Sequence, residues 1–138
     1  MDKQELVDLA VQAMQNAYAP YSGFKVGAAL LTTGGKVYLG CNIENASYSP
    51  TNCAERTAFF KAVSEGERSF SSIAIVGGKD GVIDNTCSPC GVCRQVMAEF
   101  CVPDTFAIIL GKQNGYEEYT LGELLPLGFY KDNLIDSL

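Results

Sequence analysis

The chain has 138 residues, 47% of them apolar and 19% charged, a net charge of −6 and no histidine. Such a composition belongs to folded globular chains and excludes disorder, and the length suits one domain spanning residues 1–138. No apolar run approaches the roughly 20 residues of a membrane span, and no basic cluster offers a nucleic-acid footprint, which leaves small molecules as the expected partners.

The N-terminus is polar and lacks a signal-peptide core, so the cytoplasm is the expected location. Asp2 and Glu5 suggest a capping box for a first helix, whose apolar face carries Leu6, Ala10, Met14 and Ala17 up to Pro20. Pro20 to Phe24 reads as a loop. Val26–Leu31 is apolar at every position, the pattern of a strand buried on both faces, and Gly34-Gly35 turns it into a second strand, Val37–Cys41. Residues 42–52 form a long polar loop, of the kind that tends to be functional. A second helix starts near Cys53 and stops at Gly66. Ser72–Gly77 is a third strand, a third helix begins near Gly91 and closes before Pro103, and Phe106–Leu110 is a further buried strand. Asn114-Gly115 turns the chain into Tyr116–Thr120, and Thr120 with Glu123 caps a short helix ended by Pro126. The order predicts an α/β domain with a mixed sheet covered by helices; the pattern does not set strand order beyond the first hairpin.

Chemistry concentrates in Asn52-Cys53-Ala54-Glu55-Arg56 and in Ser88-Pro89-Cys90-Gly91-Val92-Cys93. A catalytic zinc site takes three protein ligands and leaves one position open. Cys90 and Cys93, three apart at a helix start, present their sulfurs on one face, and Cys53 comes from a second helix start. Two positive helix ends, with Arg56 and Arg94 nearby, favour deprotonated thiols. Without histidine, acid–base work falls to a carboxylate, and Glu55 is placed for it, although a glutamate at a helix start also suits the dipole alone. Cys87, Cys90 and Cys93 share the spacing of iron–sulfur ferredoxins, and Cys90-Gly-Val-Cys93 could equally be a redox dithiol. Cys41 and Cys101 read as small buried apolar residues, and Cys87 as a bystander or a weak fourth thiol.

Together the two stretches resemble the zinc-dependent nucleoside and nucleobase deaminases, a class described by a His or Cys, x, Glu element followed by Pro-Cys-x-x-Cys. The likeness extends to Ala19–Ala29, Asn42–Tyr48, Asn52–Ala58 and Leu124-Leu125-Pro126 with Phe129, all as in the short, all-cysteine cytidine deaminases. The resemblance implies a three-layer α/β/α fold on a mixed five-stranded sheet. It implies one Zn2+ per chain on Cys53, Cys90 and Cys93, with Glu55 as proton shuttle and Arg56 hydrogen-bonded to the thiolates. Asn42 and Glu44 would hold the ribose, the Ala54 backbone would meet the base, and Phe24 would lie beside the ring. Tyr48 and Phe129 would reach a neighbouring subunit's site in a homotetramer. Without the resemblance, core packing suffices for either Phe, and a solvated loop charge for Glu44. The implied reaction is hydrolytic deamination of cytidine and deoxycytidine in pyrimidine salvage. Rival readings are deamination of another aminated pyrimidine such as blasticidin, or a protein that only binds zinc structurally.

Overall fold

The computed structural model describes residues 1–135. In chain order the elements are α1 (Lys3–Met14), β1 (Phe24–Thr32), β2 (Val37–Cys41), α2 (Ala54–Ser64), β3 (Phe70–Lys79), α3 (Gly91–Phe100), β4 (Ala107–Lys112), β5 (Gly115–Thr120) and α4 (Leu121–Leu124), then a 3-10 turn at Lys131–Asn133. The strands make one sheet in the order β2-β1-β3-β4-β5. β1 is antiparallel to both β2 and β3, β3 is parallel to β4, and β4 is antiparallel to β5, so the sheet is mixed.

Alternation along the central strands builds three layers, because successive side chains of a strand point to opposite faces. Ala28 and Leu30, Ile73 and Ile75, and Ile108 and Leu110 pack with Ala58 and Phe59 of α2 and Met97 of α3. Between them, Ala29, Ala74, Val76 and Ile109 face Leu6, Val7, Ala10 and Met14 of α1. All of these β residues are at most 2% exposed, which is why the strands read as unbroken apolar runs. Each large side chain buried this way stabilises the fold by about 1.5–3 kcal/mol. On the two-helix side, Phe59 meets Phe70 edge-on at 5.1 Å and lies 6.3 and 6.2 Å from Phe100 and Phe106, so an aromatic cluster ties α2 to α3 across β3.

Strand direction decides where the helices start. β2 and β3 both run antiparallel to β1, so they point the same way and end on the same side of the sheet. Each is followed by a helix. The N-termini of α2 and α3 are therefore delivered to one edge, together with Phe24 at the start of β1, which pairs with Lys79 at the end of β3. Ligand sites in open α/β sheets collect at such carboxyl ends. Gly40 sets how closely α2 lies on the sheet: a Cβ there would stand 2.4 Å from the Ala54 carbonyl oxygen and 2.6 Å from the Ala58 nitrogen.

Several local expectations meet the structure unchanged. Gly66 follows α2 with φ at 101°, a left-handed stop, and Thr120 and Glu123 form the reciprocal capping box of α4. Others are corrected. α1 ends at Met14 and leaves Ala17 outside, because the chain turns away to pair with the 42–52 loop: the Tyr18 N–H donates to the Asn42 carbonyl (2.9 Å) and the Glu44 N–H to that of Tyr18 (2.8 Å). Asp2 occupies the N-cap position without a side-chain capping bond, so the Asp2–Glu5 box is absent; residues 1–5 are exposed, and water can serve those N–H groups. Phe24 belongs to β1 and not to the preceding loop, since pairing with Lys79 extends the strand. Cys101 is buried, whereas Cys41 is only half-buried. Among the described residues no helix is long and apolar enough to cross a membrane.

Because Gly40 seats α2, a Gly40→Ala substitution is expected to destabilise the fold by about 1–3 kcal/mol through overpacking. It should also lower the metal bound per chain by shifting Cys53. Chemical denaturation and metal analysis of the same preparation measure both.

Candidate metal centre and active site

Cys53 is the N-cap of α2, Cys90 is the N-cap of α3, and Cys93 lies in the first turn of α3. Their sulfurs converge: Cys53 to Cys90 is 3.9 Å, Cys90 to Cys93 is 3.6 Å, and all three lie within 4.8 Å of one another. A tetrahedral zinc with bonds of about 2.3 Å to sulfur separates its thiolates by about 3.8 Å, so this donor set fits that ion. No carboxylate or further thiol among the described residues joins the trio, which leaves a fourth coordination position without a protein donor.

The charge is unevenly shared among the sulfurs: Cys53 favours the thiolate, while Cys93, hydrogen-bonded to Cys53 and buried, is pushed up. Cys53 is drawn down to about 5, first by the hydrogen bond it receives from Cys93 and then by Arg56, against the opposing effect of burial. The Arg56 Nη2 donates to the Cys53 sulfur at 3.3 Å, and that bond raises the already high pKa of the guanidinium. Both helix N-termini add partial positive charge at the same point. Cys87 behaves differently: burial, with the negative groups of Glu55 and Cys53, pushes its thiol up to about 11, and it stands outside the metal trio.

Glu55 is 4% exposed. Burial is the main cause that pushes its carboxyl up to about 7; the charge of Cys53 adds to the rise, while its own backbone N–H, Cys93 and Arg56 oppose it. It lines a cavity of about 170 Å³ with Val26, Asn42, Thr51, Cys53, Cys87 and Cys90. A buried carboxyl poised near neutrality beside three convergent sulfurs can move protons where a metal can activate water.

The family model for the cytidine and deoxycytidylate deaminase zinc-binding region matches residues 1–109. The chain belongs to this family. A cytidine deaminase of Sporosarcina psychrophila is 51% identical over 134 residues, covering 97% of this chain and 96% of that protein. One from Halalkalibacterium halodurans is 51% identical over 136 residues, covering 99% of this chain and 100% of that one. Among solved structures, the cytidine deaminase of Burkholderia pseudomallei superposes with a TM-score of 0.86 at 48% identity, covering 94% of this chain and all (100%) of that one. The sulfur trio, which could hold a metal ion, thus sits in a chain of a zinc-binding deaminase family.

The other positions singled out by the deaminase resemblance fall into four places. Asn42 and Ala54 line the Glu55 cavity itself. Glu44 and Tyr48 line an adjoining cleft of about 410 Å³ that shares Thr51 with it. Phe24 borders a separate cavity against Gly78, Lys79 and Asn85, and Phe129 lies outside all of these, 59% exposed. Asn42 and Glu44 also carry structural bonds. The Asn42 amide accepts from the Val26 N–H and donates to the Phe24 carbonyl, both at 2.8 Å, and so fastens the start of β1. Glu44 accepts from the backbone N–H groups of Tyr21 (2.9 Å) and Ser22 (3.1 Å) and from the Ser22 hydroxyl. Those bonds, that of the Ser22 hydroxyl first, hold its carboxyl below the usual range.

Sequence reasoning passed over Val26, Thr51, Asn52 and Ser88 as cleft walls, since nothing in their types signals it. It noted Arg94 only as a nearby charge, but that side chain donates to two backbone carbonyls, at Pro89 (2.7 Å) and Leu124 (2.6 Å). Arg56→Gln is expected to weaken zinc binding about 10- to 100-fold, as loss of a hydrogen-bond partner to a metal ligand does. Competition with a chromogenic chelator reads this directly, and unchanged affinity would separate Arg56 from the metal centre.

Proposed function

We propose that the chain catalyses hydrolytic deamination of cytidine and deoxycytidine to uridine and deoxyuridine with release of ammonia. The observation that carries this reading is the buried Glu55 carboxyl, held near neutrality in a cavity it shares with Cys53 and Cys90 of the sulfur trio. Cys53, Cys90 and Cys93 would hold one zinc ion per chain, which would supply Lewis acidity near neutral pH.

Glu55 takes a proton from a water in the cleft and passes it to N3 of the pyrimidine as the water oxygen bonds to C4. It then takes the hydroxyl proton at C4 and gives it to the exocyclic nitrogen. The C4–N bond breaks, ammonia leaves, C4 becomes a carbonyl and the carboxylate is restored. A group that must accept and return protons within one turnover works best with a pKa near the working pH.

Asn42 and Glu44 are assigned to the sugar. Glu44 spends three acceptor positions on Tyr21 and Ser22, and a carboxylate has about four, so one remains for a hydroxyl. Asn42 likewise retains one N–H and one lone pair. The Ala54 backbone is assigned to the base and Phe24 to the side of the ring. Residues 1–138 work as one catalytic domain in the cytoplasm, within pyrimidine salvage.

We assign Tyr48 and Phe129 to the site of a neighbouring copy in a homotetramer. Two observations support this. Tyr48 is 76% and Phe129 59% exposed, with Leu127 fully exposed between Phe129 and the helix α4. The Glu55 cavity of one chain, about 170 Å³, is also smaller than the roughly 300 Å³ at which pockets for such ligands begin.

Glu55→Gln is expected to keep about one zinc per chain while turnover of cytidine falls about 10²- to 10⁴-fold. Ultraviolet absorbance of the base follows the reaction, with free cytosine and blasticidin as comparison substrates. Normal turnover in a zinc-loaded Glu55→Gln enzyme would sink the mechanism, and faster turnover of blasticidin would move the substrate assignment. For the shared site, light scattering on the active enzyme should give a tetramer; an active monomer overturns that assignment.

A further inference from the structure

The helix that carries two of the three sulfurs also carries, in its next two residues, a pair of side chains that hold the distant end of the chain. Arg94 follows Cys93 directly. Its Nε donates to the Pro89 carbonyl at 2.7 Å, just before Cys90, and its Nη1 donates to the Leu124 carbonyl at 2.6 Å, at the end of α4. Gln95 Nε2 then donates to the Phe129 carbonyl at 2.7 Å. Between these anchor points the chain makes a tight reversal. Leu127 has a left-handed φ of 54°, and Gly128 lies so close to Leu125 that a Cβ would stand 2.8 Å from its Cγ. Leu125 and Tyr130 pack against the core on either side of this reversal, but Leu127 and Phe129 between them are both exposed, and the 3-10 turn beyond is closed by local bonds at Tyr130 and Asn133.

We propose that Arg94 and Gln95 are positioning residues that set the reach of Phe129, fastening the Leu124–Phe129 segment to the metal-bearing helix. The proposal rests on the assignment of Phe129 to substrate binding. Its physical content is that one rigid body, α3, fixes both the sulfurs and the root of the aromatic side chain. A planar guanidinium suits the two-carbonyl bridge because its donors are set in a fixed fork, which a lysine ammonium lacks. Gln95 needs only one donor, so charge is unimportant there and donation is the requirement.

The test is a set of steady-state measurements on zinc-loaded full-length enzyme with cytidine. Gln95→Ala and Gln95→Glu are expected to raise KM about threefold or more while kcat and zinc content stay within about twofold, the effect of losing one hydrogen bond at an exposed segment. Gln95→Lys, which restores a donor, should return KM to within about twofold of the parent. Arg94→Lys should raise KM and also speed zinc loss to a chelator, since it gives up one of two carbonyls. Faster amide exchange at residues 125–130 should accompany each raised KM. An unchanged KM in Gln95→Ala and Gln95→Glu, with a raised KM in Phe129→Ala, overturns this proposal alone. An unchanged KM in Phe129→Ala overturns the substrate assignment of Phe129 and this proposal with it. A loss of kcat and zinc in the Gln95 variants without a change in KM shows a purely structural role and also overturns it.

Discussion

Everything at the site depends on bringing the starts of two helices to one point. Three sulfurs within 4.8 Å would repel one another as thiolates, and water would be a better home for each alone. The helix ends at Cys53 and Cys90 and the Arg56 guanidinium offset that repulsion, as a bound cation would. The arrangement has a local cost. Neither Cys53 nor Cys90 makes a side-chain capping bond, so each helix forgoes about 1 kcal/mol that serine or aspartate would contribute at its N-cap. Both cap positions carry thiols that could hold a metal ion instead.

That convergence is imposed by layers of the fold that never touch the site. Because β2 and β3 run the same way with β1 between them, the helices that follow both begin at one sheet edge. Gly40 lets α2 lie against β2 at backbone distance, and the cluster of Phe59, Phe70, Phe100 and Phe106 fixes α2 against α3. A side chain added at Gly40 or removed at Phe59 would reach the chemistry through the positions of the sulfurs.

Burial then tunes what strand direction has assembled. A glutamate in the first turn of an exposed helix would be an ordinary favourable charge. Placed in the cavity beneath the 42–52 loop, the same side chain is pushed up to about 7. Cys87 shows the same physics at a thiol, raised to about 11 by burial, and its sulfur stands outside the trio. The loop that roofs the cavity is itself held by the groups expected to read a sugar. Asn42 is tied to β1, and Glu44 to Tyr21 and Ser22, so the side chains proposed to meet the sugar also fix the loop.

Much of this was legible in the sequence because it depends on local rules. Unbroken apolar runs marked strands buried on both faces, Gly66 and the Thr120–Glu123 box marked helix ends, and the spacing of Cys90 and Cys93 placed two sulfurs on one helical face. The candidate donor set and carboxylate were likewise suggested by residue type, with histidine absent, although the same cysteines also allowed a ferredoxin or dithiol reading. What only the tertiary structure decided required long-range pairing. The Tyr18 bridge to Ile43 ended α1 early, the pairing of Phe24 with Lys79 lengthened β1, and the direction of β2 relative to β3 brought Cys53 beside Cys90. The pKa of Glu55 and the reach of Arg94 to Leu124 belong to the same class. Spacing along the chain reports which groups share a turn of helix, but burial and contacts across 30 or more residues exist only once the sheet has set its strand order.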